Sequence, residues 1–552
     1  MVTPREALVS EYLTRVRDLA GKVPTALRSV DVLRRAGLVP LGRPDHVLRS
    51  MIAVRRLGPI AGAARVAATR DHRAIGLVDE QGPLTFRQLD RRSNALARAF
   101  AARGVTAASV VALLARDHRG AVETMLAASK LGARLLLMNT GFAQPQLVDV
   151  AEREGVTVFV YDQEFTPLVQ ALPPGLPSFL AWVDDVPEGV TTLEELIANG
   201  DDRPLPMPAE PGGMVLLTSG TTGTPKGAPR QVRSPLAAAQ FLDRIPLRSG
   251  EATMLAAPLF HATGFSQFII SFALGSTVVL RRRFDPEATL AAIQDNRVTA
   301  LVLVPTMLQR VLDLGPEVIG RYDTSSLRVV FTAGSALSPE LGNRASRVFG
   351  EVIHNLYGST EVSVATVATP ADWRAAPGTV GKPPVGCKVA LYDEAGRPVT
   401  GSGVTGRVFA GSGLAFGGYT DGRHKEVIDG LLSTGDIGHL DAEGRLFIDG
   451  RDDDMIVSGG ENVFPAEIEN LLVAYPGVVE AAVLGVADPE FGQRLKAYVV
   501  LEAGTAVAED ELRAHVKTNL ARFKVPRDVV FLPELPRNAT GKLMRKRLLE
   551  LG

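Results

Sequence analysis

The sequence predicts an α/β protein in two unequal parts: a large N-terminal domain of two related α/β layers with a distorted β-barrel region, and a small α+β C-terminal domain. Three observations predict it. The chain has 552 residues, too many for a single core. On both sides of a loop at residues 218–227, short apolar runs alternate with longer helical stretches, as in parallel strands covered by helices. Between Gly378 and Gly450, glycine and proline become dense and the strands short, as in antiparallel sheets.

In chain order, residues 1–70 come first, a basic helical extension. It holds thirteen Arg or Lys against five Asp or Glu, a net of +8 that leaves −9 to the remainder. Its stretch PDHVLRSMIAVRRLG mixes Val47, Leu48, Met51, Ile52, Val54 and Leu57 with Arg49, Arg55 and Arg56. Such a segment suits either peripheral contact with an anionic membrane or packing on the main domain with its arginines in water.

The first layer then reads as strand Val110–Ala115, helix Arg119–Leu131 and strand Ala133–Met138. The second reads as strands Ser276–Leu280, Ala300–Val304, Leu327–Phe331 and Val352–Leu356, with helices Pro286–Asn296, Pro305–Leu314 and Pro339–Phe349. Short strands follow in CKVALYD, GRVFAG and RLFID. The charged cluster Arg451–Asp454 marks a joint, because a run of charges is costly to bury. The expected domains are therefore 71–450 and 454–552, with residues 451–453 between them.

Composition excludes several classes. A formal net charge of −1 gives no reason to expect nucleic acid as a partner. Cys387 is the single cysteine, so an intrachain disulfide and a cysteine zinc cluster are both excluded, in keeping with a reducing cytoplasm. The charged N-terminus lacks the apolar core of a secretory signal. The uncharged run Ala252–Leu280 contains Pro258, His261 and Gln267 and breaks into short pieces, so it reads as buried core rather than a membrane span.

Chemistry concentrates first in Leu217–Gly227, LTSGTTGTPKG. It follows the strand-like MVLL. Amides of a glycine-rich turn at a strand end, with hydroxyls of Thr218, Ser219, Thr221 and Thr222 around Gly220 and Gly223, form an anion cradle. Pro225 before Lys226 and Gly227 after it rule out the Walker A template.

This loop resembles the signature of the acyl-adenylate-forming (AMP-binding) superfamily, the acyl-CoA synthetases, peptide-synthetase adenylation domains and luciferases. Further matches follow in that family's order: Pro258-Leu259-Phe260-His261, Tyr357-Gly358-Ser359-Thr360-Glu361, Ser433-Thr434-Gly435-Asp436, Gly450-Arg451, and Asn538-Ala539-Thr540-Gly541-Lys542. They span about residues 70–550, and the chain most resembles bacterial fatty acid–CoA ligases.

The resemblance implies two half-reactions. ATP first converts a fatty acid to acyl-AMP with release of pyrophosphate, and coenzyme A then takes the acyl group. The carboxylate must approach an anionic α-phosphate, so cations have to offset the repulsion. By resemblance, Glu361 binds Mg2+, Thr360 contacts the α-phosphate, and Lys542 swings in to bridge carboxylate and phosphate. Thr218 to Gly223 and Lys226 grip the outgoing phosphates. Gly334 and Ser335, with Tyr357, Gly358 and Ser359, line the nucleotide and acyl pockets, and Asp436 and Arg451 hold the ribose. His261 gates the acyl tunnel, Ala262–Phe265 and Phe268–Leu274 line it, and Gly459 and Gly460 pass the pantetheine arm. A lysine on the small domain requires that domain to be mobile, a catalytic lid with Asp453 as hinge.

Two features, the Thr221-Thr222-Gly223 reading of the loop and Gly459-Gly460-Glu461-Asn462, favour CoA over an acyl-carrier protein. One departure is Arg407, where the family has glutamate after glycine. The segment PRNATGK also resembles that at which bacterial acyl-CoA synthetases are silenced by lysine acylation, making a lysine acyltransferase acting on Lys542 an expected partner.

Overall fold

The computed structural model describes residues 23–39, 44–185, 189–217, 226–230, 235–420, 422–458, 461–488, 492–538 and 541–551. Two mostly parallel sheets form the layers. The first has six strands in the order Ser178–Trp182, Val158–Asp162, Val110–Leu114, Arg134–Leu137, Met214–Leu217 and Gly227–Arg230. All its pairings are parallel except the last, where Leu217 and Gly227 are antiparallel register partners. That pairing pins both ends of the phosphate-loop segment to one sheet edge, although Thr218–Pro225 themselves, including Thr218, Ser219, Gly220, Thr221, Thr222 and Gly223, lie outside the described residues.

The second sheet has eight strands: Thr366–Ala368, Ile353–Tyr357, Val329–Thr332, Ala300–Leu303, Ala252–Leu255, Thr277–Leu280, Ile75–Asp79 and Gly82–Thr85. Its interior pairings are parallel and its two edge pairings antiparallel. The strands are continuous apolar runs because both faces are covered. Helices Arg119–Leu131, Pro286–Asn296 and Pro339–Phe349 have the ends expected from the sequence. His118, Asp285 and Ser338 cap them, each accepting a backbone N–H in the first turn.

The barrel-like region is a five-stranded antiparallel sheet, distorted by register breaks at Arg407/Phe409 and Ile437/Gly438. In the C-terminal part, hairpin Val478–Asp488/Gly492–Leu501 pairs with Asp528–Phe531 and Ile456–Ser458, and helices Pro465–Val473 and Glu509–Asn519 accompany the sheet. Its apolar clusters, centred on Val483 and Tyr498, draw only on residues after Asp454.

The described part of the extension is not a loose appendage. Val32, Leu33, Leu57, Ile60 and Ala61 belong to the same buried cluster as both layers. The helix Pro44–Arg70 is kinked where Gly58 takes φ 73° before Pro59. Leu48, Met51 and Ile52 nevertheless face solvent at 60%, 51% and 46% exposure. Among the described residues, no helix is long and apolar enough to cross a membrane.

Candidate active site

The five residues Tyr357 to Glu361 leave the C-terminal end of a parallel strand, where open α/β sheets bind ligands. A Cβ on Gly358 would sit 2.1 Å from the Ser363 carbonyl oxygen, so this turn closes only around glycine. Ser359 accepts from the amides of Glu361 and Val362, both at 3.2 Å, and Ser363 is held at φ 73°. The turn leaves Thr360 half-buried and buries Glu361 to 9% exposure.

Burial alone would raise the Glu361 carboxyl pKa, but hydrogen bonds from Tyr419, Ser359 and its own amide outweigh burial and hold it below the usual range. Tyr419 donates to Glu361 Oε1 at 2.6 Å, and Lys226 Nζ lies 5.0 Å from the centroid of the Tyr419 ring. The phosphate-loop lysine and the expected metal-binding carboxylate therefore share one aromatic side chain. Glu361 is an ionised oxygen donor of the kind magnesium takes when phosphate oxygens and water supply the remaining positions, so the residue fits the role.

Asp436 and Arg451 are register partners on adjacent strands, with Arg451 Nη1 3.5 Å from Asp436 Oδ1. The Tyr357 hydroxyl donates to Asp436 Oδ2 at 2.5 Å. Burial raises Asp436, opposed by Tyr357 and Arg451, and burial beside this carboxylate pushes the Tyr357 phenol far up. Tyr357 thus stays a fixed donor, leaving Asp436 oriented.

The C-terminal part reaches the same place. Arg537 and Leu543 bridge across a tight turn, in which Asn538 and Lys542 exchange main-chain and side-chain hydrogen bonds. Gly541, at φ 74°, lies so close to the body that a Cβ there would be 2.3 Å from Thr306 Oγ1 and 3.5 Å from Val304 Cγ2. Val304 also borders Gly334, whose own Cβ position is 3.6 Å from Val304 Cγ1 and 3.9 Å from Thr263 Oγ1. Gly541 and Gly334 thus border the same side chain, Val304, with Lys542 and half-buried Ser335 next to them in the chain and the start of the helix Ala262–Ala273 beside Gly334.

His261 precedes that helix. Burial lowers its pKa to about 4, so the ring is neutral at physiological pH, and its Nε2 has no partner among the described residues. The adjoining Leu259 amide donates to Asp117 Oδ1 at 3.0 Å, and burial pushes Asp117 up to about 7 against that bond.

Gly459 and Gly460 lie outside the described residues, between the register partners Ser458 and Glu461. The Asp453 backbone lies in the short turn Asp452–Asp454; its side chain lies outside the described residues. Arg407 pairs with Glu426 and comes within 3.9 Å of Asp452 beside that turn. Sequence reasoning missed Tyr419 and Asp117. Their signals were an aromatic inside Gly417-Gly418-Tyr419-Thr420 and a lone acid closing the apolar run Val110–Ala115.

Comparison with known proteins bears on the whole arrangement. Residues 63–420 match the model of the AMP-binding enzyme family, and residues 467–542 match that of the AMP-binding enzyme C-terminal domain. The chain is 34% identical to an indoleacetate–CoA ligase of Aromatoleum aromaticum, over 85% of this chain and 93% of that one. It is 31% identical to the fatty acid–[acyl-carrier-protein] ligase ScoC of Streptomyces coeruleorubidus, over 84% and 91%. The crystal structure of the anthranilate CoA ligase AuaEII with anthranoyl-AMP superposes with a TM-score of 0.81 at 27% identity, covering 89% of this chain and 96% of that one. With both parts of the family matched in order, the chain belongs to the AMP-binding enzyme family of adenylate-forming enzymes.

Proposed function

We propose that this adenylate-forming acid–CoA ligase takes a fatty acid. An oxygen of the carboxylate attacks the α-phosphorus of ATP and expels pyrophosphate; the CoA thiolate then attacks the acyl carbonyl and expels AMP. Lys542 and Thr360 offset charge at the α-phosphate, and Glu361 would hold Mg2+, which supplies charge neutralisation when bound. Asp436 and Arg451 hold the ribose, with Tyr357 orienting the carboxylate. Lys226 steadies the outgoing phosphates. Neutral His261 closes the route between acyl and thiol channels. The observation that carries the reading is Gly541 seated against Thr306 and Val304, which brings the Lys542 turn to the Gly334 rim. Residues 451–453 would serve as hinge for a lid of residues 454–552, which must turn away before the thiol step.

An aliphatic acid is supported by Phe265, Phe268, Ile270 and Phe272, buried on a helix without a charged residue. Burial of each methylene contributes about 0.8 kcal/mol. The test is acid-dependent ATP–pyrophosphate exchange across C2 to C20 acids, with CoA and a phosphopantetheinylated carrier protein compared as acceptors. The relative ScoC favours the carrier as the second reading. Thioester on the carrier alone would install that reading, and exchange confined to aromatic acids would remove the fatty acid.

Two partners belong to the same proposal. Leu48, Met51 and Ile52 beside Arg49 and Arg55 form an exposed apolar and basic face suited to an anionic membrane. Flotation with anionic liposomes checks it, and equal recovery without residues 1–70 would dismiss it. A lysine acyltransferase would silence Lys542 by removing its charge, which mass spectrometry of the treated enzyme would locate.

A further inference from the structure

The turn that carries Lys542 stands on two apolar feet. Leu535 is buried in the cluster around Tyr498, and Leu543 packs against the same cluster. Arg537 and Leu543 bridge as antiparallel partners between them, and the Met544 amide donates to the Pro536 carbonyl at 2.8 Å. Beyond that bridge the backbone turns on Gly541, at φ 74°. Glycine opens the left-handed region there, but it also leaves the peptide plane after it unusually free to rotate. That plane sets the direction in which the Lys542 side chain departs.

The plane is held at both ends. The N–H of the Gly541–Lys542 peptide donates to Asn538 Oδ1 at 2.9 Å, and its oxygen accepts from Arg537 Nη1 at 2.8 Å. The other arm of the same guanidinium, Nη2, donates to Glu480 Oε2 at 2.7 Å. Glu480 lies on the strand Val478–Asp488, opposite Val500 in the sheet. Contacts thus run from the sheet through a carboxylate and a rigid planar fork to the peptide in front of the lysine. The Arg537 and Glu480 side chains are 29% and 30% exposed, and a pair so open to water adds little to stability. Its contribution is orientation.

We infer that Arg537, anchored by Glu480, is a positioning residue for Lys542, fixing the Gly541–Lys542 peptide so that the lysine enters adenylation correctly aimed. The inference rests on the proposed role of Lys542 and deepens it. Arg537 acts through the peptide rather than through contact with ATP. Aim matters because misplacing a group by about 1 Å can cost a hundredfold in rate.

The experiment measures pyrophosphate exchange, thioester formation from supplied acyl-AMP, and melting temperature. The proteins are wild type, Arg537→Met, Arg537→Lys, Glu480→Gln, Lys542→Ala and the double variant of Arg537→Met with Lys542→Ala. Arg537→Met should lower kcat for exchange by about tenfold or more at an unchanged KM for ATP. Its thioester step and melting temperature should stay near those of wild type. Glu480→Gln should lose less, in the same direction. Arg537→Lys should recover part of the rate, since an ammonium can reach the Gly541 carbonyl without the fork. The double variant should exchange no more slowly than Lys542→Ala, because no lysine is left to aim. Full exchange in Arg537→Met beside an inactive Lys542→Ala would overturn this inference alone. Wild-type exchange in Lys542→Ala would bring down the proposed role of the lysine and this inference with it. A double variant tenfold slower than Lys542→Ala would overturn it by showing that Arg537 acts independently. Equal loss in both half-reactions with a lowered melting temperature would overturn it as well, since that marks a purely structural role.

Discussion

Tyr419 donates its hydroxyl to Glu361 Oε1 at 2.6 Å while its ring faces the ammonium of Lys226 at 5.0 Å. One side chain thereby fixes the carboxylate proposed to hold the metal and the lysine proposed to meet the departing phosphates. A Tyr419→Phe variant keeps the ring and removes the donor. The Glu361 carboxyl loses the bond that holds it low, so its pKa rises. The acidic limb of the pH–rate profile for pyrophosphate exchange should then move to higher pH, and more Mg2+ should be needed for half-maximal rate. An unchanged limb and magnesium requirement would remove Tyr419 from the site.

Gly541→Ala adds a Cβ 2.3 Å from Thr306 Oγ1, on a backbone at φ 74°. The strain alone costs about 1–2 kcal/mol. Adenylation should fall by about tenfold or more, since each 1.4 kcal/mol is a factor of ten. Thioester formation from supplied acyl-AMP should change far less. Thr306→Ala in the same chain removes the clash but not the backbone strain, so it should restore part of the rate. Equal loss in both half-reactions would show that the contact does not belong to adenylation.

The two lysines should separate by kinetics. Lys226→Ala should lower kcat/KM for ATP by about tenfold or less, the scale of a partly exposed charge contact. Lys542→Ala should abolish exchange by about a hundredfold or more, the scale of a lost group in direct contact with developing charge. Both variants should still convert preformed acyl-AMP to thioester.

Asp117 gives a pH signature of its own. Burial raises it to about 7 in the folded protein, while an unfolded aspartate titrates near 4. Between those values the folded state binds a proton that the unfolded state has released. Stability therefore falls as pH rises through this window, by up to about 1.4 kcal/mol per unit. Asp117→Asn retains an acceptor for the Leu259 amide and should flatten the slope. Urea denaturation of both proteins at pH 5 and 7.5 measures the difference, and parallel slopes would assign the titration elsewhere.

Much of this was legible in the chain. The helix Pro339–Phe349 announces itself by Ser338 as cap, Pro339 in the first turn and Gly350 after the end. Parallel strands were legible as apolar runs between such helices. The partners of Tyr419 were not, because its hydrogen bond spans 58 positions and a side-chain contact of that range leaves no periodic trace. Gln267 was written in the sequence, but its lack of partners among the described residues shows only once its neighbours are placed. Packing of the extension on the main domain was one of the two readings the sequence allowed, and Val32, Leu33 and Leu57 bear it out for the described residues. Leu57 reads as one side of an amphipathic helix whether it faces lipid or the body.

The lid proposed here keeps its apolar clusters to itself: among the described residues, none from Ile456 to Leu548 joins those of the body. Heat can therefore act on the two parts separately. A calorimetric trace should show two endotherms, and warming to the first would disarm Lys542 while the nucleotide site stayed folded. Loss of turnover on heating would then measure how firmly the smaller part holds together, and nucleotide binding would outlast it.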